Sequence, residues 1–360
     1  MKLIGKLVAY PLMAVNLGIA VLLIFSSYGS LAAPIGKWPF ASLSGLAFPF
    51  LFAANLLFLF LWLTTWRKGA LVPAATILIC LAAAIDFCPV HLSQSAKDAK
   101  SDLTVMTYNT EGFGIDDNKD WTTSNPVLGY IMEQDPDIAF LQEATVSIVN
   151  NSATDRNIRR QYPYSAVTKG ETHLACLSKY PILRNESIEF SESANGCQRL
   201  VILVGKDTIV AYNCHLQSNK LKDQELYESR KLIEHPTDSS HYEASRSVLR
   251  KLLESTSMRA EQARDIRDRV QKESSGYIIV CGDFNDTPLS YSHRLFDRFM
   301  YDTYGKTGSG IGYTYHEHHL YYRIDHIFCS RSMKPVRTWV DRGQKDSDHY
   351  PILSRVNLSK

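Results

Sequence analysis

Charge is missing from most of the first quarter of this 360-residue chain. No charged side chain lies between Lys6 and Lys37, and none between Lys37 and Arg67. The acidic residues lie after position 85. This excludes an ordinary soluble surface for that part, because such a surface carries charge throughout. The chain also lacks internal repeats and low-complexity runs, which excludes a solenoid. Its seven cysteines show no zinc-type spacing. The net charge of +2 gives no preference for an acidic partner.

What fills the uncharged part is apolar. Stretches run from Leu7 to about Tyr28, from about Leu43 to Trp66, and from Gly69 to Ile85. A bilayer core needs roughly 20 apolar helical residues. The first two stretches meet that length. The third is shorter, and Phe87, Pro89 and Val90 extend it past Asp86. Buried core helices are the bland alternative. Cleavage of the first stretch as a signal peptide, near Ser30–Ala33, is another. Three retained transmembrane helices over 1–90 is the reading preferred. Lys2 and Lys6 before the first span and Arg67 and Lys68 after the second mark cytoplasmic ends. The expectation is a multi-pass inner- or plasma-membrane protein with everything after Val90 extracytoplasmic.

Residues 91–101 are polar and small and read as a linker. Residues 102–360 suit one α/β domain. Strands are predicted at Leu103–Tyr108, Ile138–Leu141, Leu174–Leu177, Leu200–Val204, Thr208–Tyr212, Tyr277–Cys281, Ile324–Cys329 and Ile352–Val356. Val248, Leu252, Ala260, Ala263, Ile266 and Val270 form an apolar stripe that predicts a helix over Ala244–Lys272. Residues 218–243 are charged without a period and read as an insertion or mobile loop.

Polar residues gather at the ends of these strands. Asn109, Glu143, His215, Asp283 with Asn285, Asp325, and Asp348 with His349 all fall there. Each has an ordinary explanation. Asn109 suits a turn, Glu143 a helix cap and His215 a hydrogen-bonded core position. Gly282–Pro288 suits a turn, and Ser347–His349 a plain loop. Six such clusters in one domain point instead to a cleft served by a rigid scaffold.

The set resembles the endonuclease/exonuclease/phosphatase superfamily. The matching segments are Met106–Asn109, Leu141–Glu143, Leu177–Ile182, Asn213–Leu216, Gly282–Asn285, Arg323–Ile327 and Ser347–Pro351. The resemblance covers nearly all of 102–360. It implies a two-sheet α/β sandwich flanked by helices, four layers in all. It implies a Mg²⁺ site (Mn²⁺ possible) on Glu143, with Asn109 and Asp348 near or on it. Asp283 and Asn285 are implied to orient or deprotonate the attacking water. His349 is implied to contact a phosphate oxygen, with Asp325 fixing its tautomer, and His215 to be the general acid. The Asn-Cys-His-Leu segment is unlike the abasic-site branch. Glu111 stands where that branch carries an acid, and a solvated loop acid is the reading preferred for it.

Cys176 and Cys197 flank a strand–loop–strand segment, so a disulfide between them is one expectation for an oxidising compartment. Cys214 and Cys281 read as buried small residues. Two functions remain open. One is a membrane-anchored phosphoester hydrolase, most simply a phosphodiesterase. The other is an inactive scaffold that keeps the fold. Every motif residue is present, which favours the hydrolase. The substrate stays open between nucleic acid and a phospholipid head group. The lipid bilayer is an expected partner, and no protein partner is implied.

Overall fold

A computed structural model describes residues 3–32, 38–91, 102–114, 125–145, 156–169, 172–219, 239–317 and 321–358. The expected linker, apart from His91, and most of the expected 218–243 insertion lie outside the described residues. The chain divides into two compact units. The first takes in Met1–Phe87, Lys220–Ser257 and Pro288–Tyr291; the second takes in the remainder.

In the first unit, two helices are long and apolar enough to cross a membrane, Val8–Leu31 and Pro39–Thr65. Polar side chains join them at mid-length. Asn16 Nδ2 donates to Asn55 Oδ1 at 3.3 Å, and Trp62 Nε1 donates to Asn16 Oδ1 at 3.0 Å. Without water, a buried amide needs such a partner. The third expected span differs from its prediction. It consists of two short helices, Leu71–Ile79 and Leu81–Phe87. Cys80, at φ −89° and ψ 5°, leaves the helical region between them. Together they reach about 25 Å at 1.5 Å per residue, short of a core about 30 Å thick.

The second unit holds two six-stranded sheets. Twelve strands are described: β1 Asp102–Asn109, β2 Ile138–Gln142, β3 Tyr164–Val167, β4 Ala175–Ser178, β5 Ile182–Glu189, β6 Gly196–Val204, β7 Asp207–His215, β8 Tyr277–Asp283, β9 Met300–Asp302, β10 Asp325–Ser330, β11 Lys334–Val340 and β12 Ile352–Asn357. The sheet orders are β11-β12-β1-β2-β4-β3 and β5-β6-β7-β8-β10-β9. The expected two-sheet α/β sandwich is therefore present. Alternation builds it. Leu103, Val105, Ile138 and Phe140 meet Leu200, Ile202, Ile209, Ala211, Ile279 and Ile327 in one core cluster. Their neighbours Met106, Tyr108, Ala139 and Leu141 pack in a second cluster with Val127, Leu128 and Ile131 of helix Pro126–Gln134.

β1 pairs with β2 in parallel, and so does β7 with β8. The remaining pairs are antiparallel. These two parallel pairs aim their C-terminal ends at one place. Asn109 stands opposite Gln142, and His215 opposite Asp283. β10 runs the other way and starts there, with Asp325 opposite Asp283. A buried polar bridge crosses the core close to these ends. Gln142 Nε2 donates to Asn213 Oδ1 at 2.6 Å, and Asn213 Nδ2 donates to the Leu141 carbonyl at 3.1 Å.

The expected Cys176–Cys197 disulfide is not formed. Cys176 lies on β4 in one sheet and Cys197 on β6 in the other, both as buried free thiols. The cysteine facing Cys197 is Cys214, with the sulfurs 3.4 Å apart across β6 and β7. That exceeds the S–S bond of about 2.05 Å.

Candidate active site

The strand ends bring the expected residues together. Asn109 Nδ2 donates to Glu143 Oε1 at 3.0 Å and to Asp283 Oδ2 at 3.1 Å. His215 Nε2 lies 3.7 Å from each of those oxygens. His349 Nε2 is 3.8 Å from Asp283 Oδ2, and its Nδ1 is 2.8 Å from Asp325 Oδ2. Asn285 holds the aspartate from the other side: its N–H donates to Asp283 Oδ1 at 2.8 Å and its Nδ2 to Asp283 Oδ2 at 3.2 Å. Asp348 joins through Glu111, whose Oε2 accepts the Asp348 N–H at 2.9 Å.

Backbone strain accompanies this convergence. Glu111, Glu143 and Asn285 take left-handed φ values of 45°, 50° and 51°. Non-glycine residues there cost on the order of 1–3 kcal/mol, so surrounding bonds must hold them. They do. The Gly112 N–H donates to the Glu143 carbonyl at 3.0 Å, and the Ala144 N–H to the His173 carbonyl at 2.7 Å.

Electrostatics separates the site into two halves. Burial alone disfavours the His349 cation. The charges of Asp325 and Asp283 and the Asp325 hydrogen bond outweigh it and hold the imidazole well above its usual range. Burial pushes Asp283 up, and the nearby His349 and His215 oppose that. Asp283 and His349 thus compete for one proton across 3.8 Å. In the other half, burial raises Asp348 to about 7, opposed by His349 and aided by the charges of Glu111, Glu143 and Asp283.

Asp348, raised by burial and by the neighbouring charges of Glu111, Glu143 and Asp283, fits a site for a cation. No Lys or Arg pairs with Glu111, Glu143 or Asp348 among the described residues. Their donors are hard oxygens, which suit Mg²⁺ or Mn²⁺. Asp283, Asp325 and His349 also approach closely enough to hold an ion. The 2.8 Å bond between His349 Nδ1 and Asp325 Oδ2 engages one atom of each of these two side chains. Glu111 is exposed, as expected of a solvated loop acid, and its carboxylate also accepts the Asp348 N–H.

Two buried polar atoms bear on the same fit. His215 Nε2 and Asp325 Oδ1 are buried with no hydrogen-bond partner among the described residues. Such groups are costly unless something fills the role.

These residues and this sandwich match a known model. The endonuclease/exonuclease/phosphatase family model matches residues 106–349. The chain belongs to this family. Its members hydrolyse phosphate esters. A model for a domain of unknown function (DUF8431) matches 6–86. No curated protein sequence matches the chain. Among solved structures, humanized D. rerio TDP2 with 14 mutations is 16% identical, with a TM-score of 0.52 over 72% of this chain and 100% of its own. D. rerio TDP2 complexed with single strand DNA product is 17% identical, with a TM-score of 0.51 over the same shares. At this identity the likeness shows the fold.

Two supporting residues were not evident in the sequence. Arg259, 2% exposed, comes from helix Ser239–Val270. Its Nε lies 3.5 Å from Asp286 Oδ2, and its Nη1 donates to the Gln217 carbonyl at 2.9 Å. It thereby joins the loop after His215 to the loop after Asp283. Thr314 Oγ1 accepts the Ile324 and Asp325 N–H groups at 3.0 and 3.1 Å and fixes the start of β10. A lone Arg in a charged helix and a lone Thr in a loop carry no spacing signal.

Proposed function

We propose that the chain is a membrane-anchored, metal-dependent phosphodiesterase. The observation that carries this is the buried His215 Nε2, without a hydrogen-bond partner among the described residues and 3.7 Å from both Glu143 and Asp283. Glu143, with Asn109 and Asp348 beside it and Glu111 adjoining, would hold the cation. A divalent cation held there would neutralise charge developing on non-bridging phosphate oxygens. Asp283, oriented by Asn285 and Asn109, positions the attacking water and takes its proton. His349, kept cationic by Asp325, donates to a phosphate oxygen, where preorganised donors act most strongly in the transition state. His215 gives its proton to the leaving oxygen. An inactive scaffold is the alternative. It has no need of acids held on strained backbone at Glu111 and Glu143.

The test is turnover of bis(4-nitrophenyl) phosphate by the full chain. Chelation should abolish it and Mg²⁺ restore it. Glu143→Gln should raise the Mg²⁺ concentration needed, and His215→Ala should cost about 10²–10⁴-fold. Full activity in chelator would refute metal dependence. No turnover under any metal would leave the scaffold.

We also propose that the catalytic domain lies outside the cytoplasm. Within the first unit, Ala9, Trp62 and Ala70 form one apolar cluster, at the end next to Arg67 and Lys68. At the other end, Tyr28 Oη donates to the Ile79 carbonyl at 2.5 Å. The third segment therefore climbs the first helix from its Ala9 end to its Tyr28 end. That path supports a return crossing in spite of the break at Cys80.

A further inference from the structure

Strand alternation divides the buried cysteines of the sandwich between two faces. On β6, Leu200 and Ile202 enter the core between the sheets, and on β7 Ile209 and Ala211 do so. Successive side chains of a strand point to opposite faces. Cys197 is three positions before Leu200, and Cys214 three beyond Ala211, so both turn to the outer face of their sheet. Cys176 and Cys281 belong to the inner core cluster. The pleat therefore sets Cys176 apart from Cys197. It also sets Cys281 apart from Cys214, although β8 lies next to β7.

Cys197 and Cys214 stand opposite each other in the antiparallel β6–β7 register. Their sulfurs are in direct contact at 3.4 Å, and both residues are at most 1% exposed. Opposed residues of an antiparallel pair have Cα atoms about 4.5–5.5 Å apart. Disulfides need roughly 4.4–6.8 Å. Closing the sulfurs to about 2.05 Å takes roughly 1.3 Å of side-chain movement and no shift of the strands.

We propose that Cys197 and Cys214 are joined by a disulfide when the chain folds in an oxidising environment, and that this bond staples the end of β7 that carries His215. The oxidant is itself a disulfide, that of glutathione or of a protein. One cysteine thiolate attacks it and expels a thiolate. The second cysteine thiolate attacks the resulting mixed disulfide and expels the other. The cysteine pair gives up two protons and two electrons, and the oxidant leaves as two thiols. The exchange precedes closure of the sandwich. Burial and the neighbouring Cys214 thiol hold the folded Cys197 thiol well above its usual range, and the thiolate is the attacking form.

Peptide mapping of the full chain tests the pairing. Trypsin cuts after Arg199 and Lys206, between the two cysteines, so the bridge joins peptide 185–199 to peptide 207–220. Cys176 and Cys281 fall on peptides 170–179 and 273–294, so every other pairing gives a different product. The chain is made by cell-free synthesis into detergent micelles in a buffer of reduced and oxidised glutathione. Thiols are blocked with N-ethylmaleimide before digestion without reductant. The 185–199/207–220 product is expected, two hydrogens lighter than the sum of its thiol peptides. Cys176→Ala and Cys281→Ala should leave it in place. The bridged chain should also melt about 5–10 °C above chain made in reductant, as expected for closing a short loop. Maleimide on both peptides, or a Cys176–Cys197 or Cys214–Cys281 product instead, would overturn the proposal. An equal Tm for the two forms would remove the stapling role. Mapping on membranes of expressing cells, blocked before lysis, rests in addition on the proposed extracytoplasmic location. A bridge in glutathione buffer with free thiols in the cell would uphold the pair and refute that location.

Discussion

Replacing Asp325 by Asn tests the proton economy of the site most directly. The side chain keeps its shape and loses its charge. Asp325 Oδ2 lies 2.8 Å from His349 Nδ1, and both residues are almost fully buried. A hydrogen bond to a charged group contributes about 1.5–3 kcal/mol. At 1.36 kcal/mol per tenfold, that alone is about 10–150-fold in rate. An Asn amide can also donate to Nδ1 and select the wrong tautomer. The expected fall in kcat is therefore about 10²–10⁴-fold, the range for one positioned acid–base group, with KM little changed. The pH profile should move as well. His349 is raised in the folded protein, despite burial, by Asp325 and Asp283. Its cation is present below that raised value and is lost as pH rises through it. Without the Asp325 charge the cation is lost at lower pH, so the alkaline limb of kcat/KM should shift to lower pH. Stopped assays of a soluble diester across pH measure both effects. An unchanged alkaline limb, or a kcat within a few-fold of the parent, would show that Asp325 does not act through His349.

Arg259→Met should leave Asp286 buried beside an apolar chain and destabilise by about 3–5 kcal/mol. Arg259→Lys should keep the fold, read by circular dichroism melts, while lowering kcat, because the Gln217 contact needs the planar fork. Asp302→Ala should lower Tm and flatten its dependence on acid. Burial opposes the Asp302 charge, yet Arg323 and His293 hold its pKa below the usual range. Its stabilisation is therefore present above the unfolded value of about 3.9 and is lost as pH falls toward the folded one. A phosphatase reporter fused after Lys360 should be active and a green fluorescent one dark; the opposite pair would place the domain in the cytoplasm.

Strands buried on both faces were legible as apolar runs. β1, β2, β8 and β12 fall within a residue or two of their predictions. β5 was silent because its sequence, Ile-Leu-Arg-Asn-Glu-Ser-Ile-Glu, faces solvent for most of its length as an edge strand. β3, also at an edge, and the three-residue β9 have too few apolar positions to show a period. The long helix was read from its stripe, and Ala263, Ile266 and Val270 are buried as that stripe requires. The third apolar stretch misled because composition reports transfer to an apolar phase. The dihedral break at Cys80 leaves no trace in it.

At the site, side chains that end strands were visible because a polar residue after an apolar run is conspicuous. Glu111 reads as a solvated loop acid and is exposed, and only the left-handed turn through Glu111, Gly112 and Phe113 sets its carboxylate against the Asp348 N–H. The same limit applies to Leu289 and Tyr291 in the first unit. Ser30 and Ser42 are small polar residues in apolar segments, and each reads as a helix-tolerated hydroxyl that bonds its own backbone. Their partners, the Leu289 carbonyl and the Tyr291 N–H, are backbone groups without a side-chain signature. A backbone group in a buried loop must find a partner. Here the partners come from the apolar helices of the same unit.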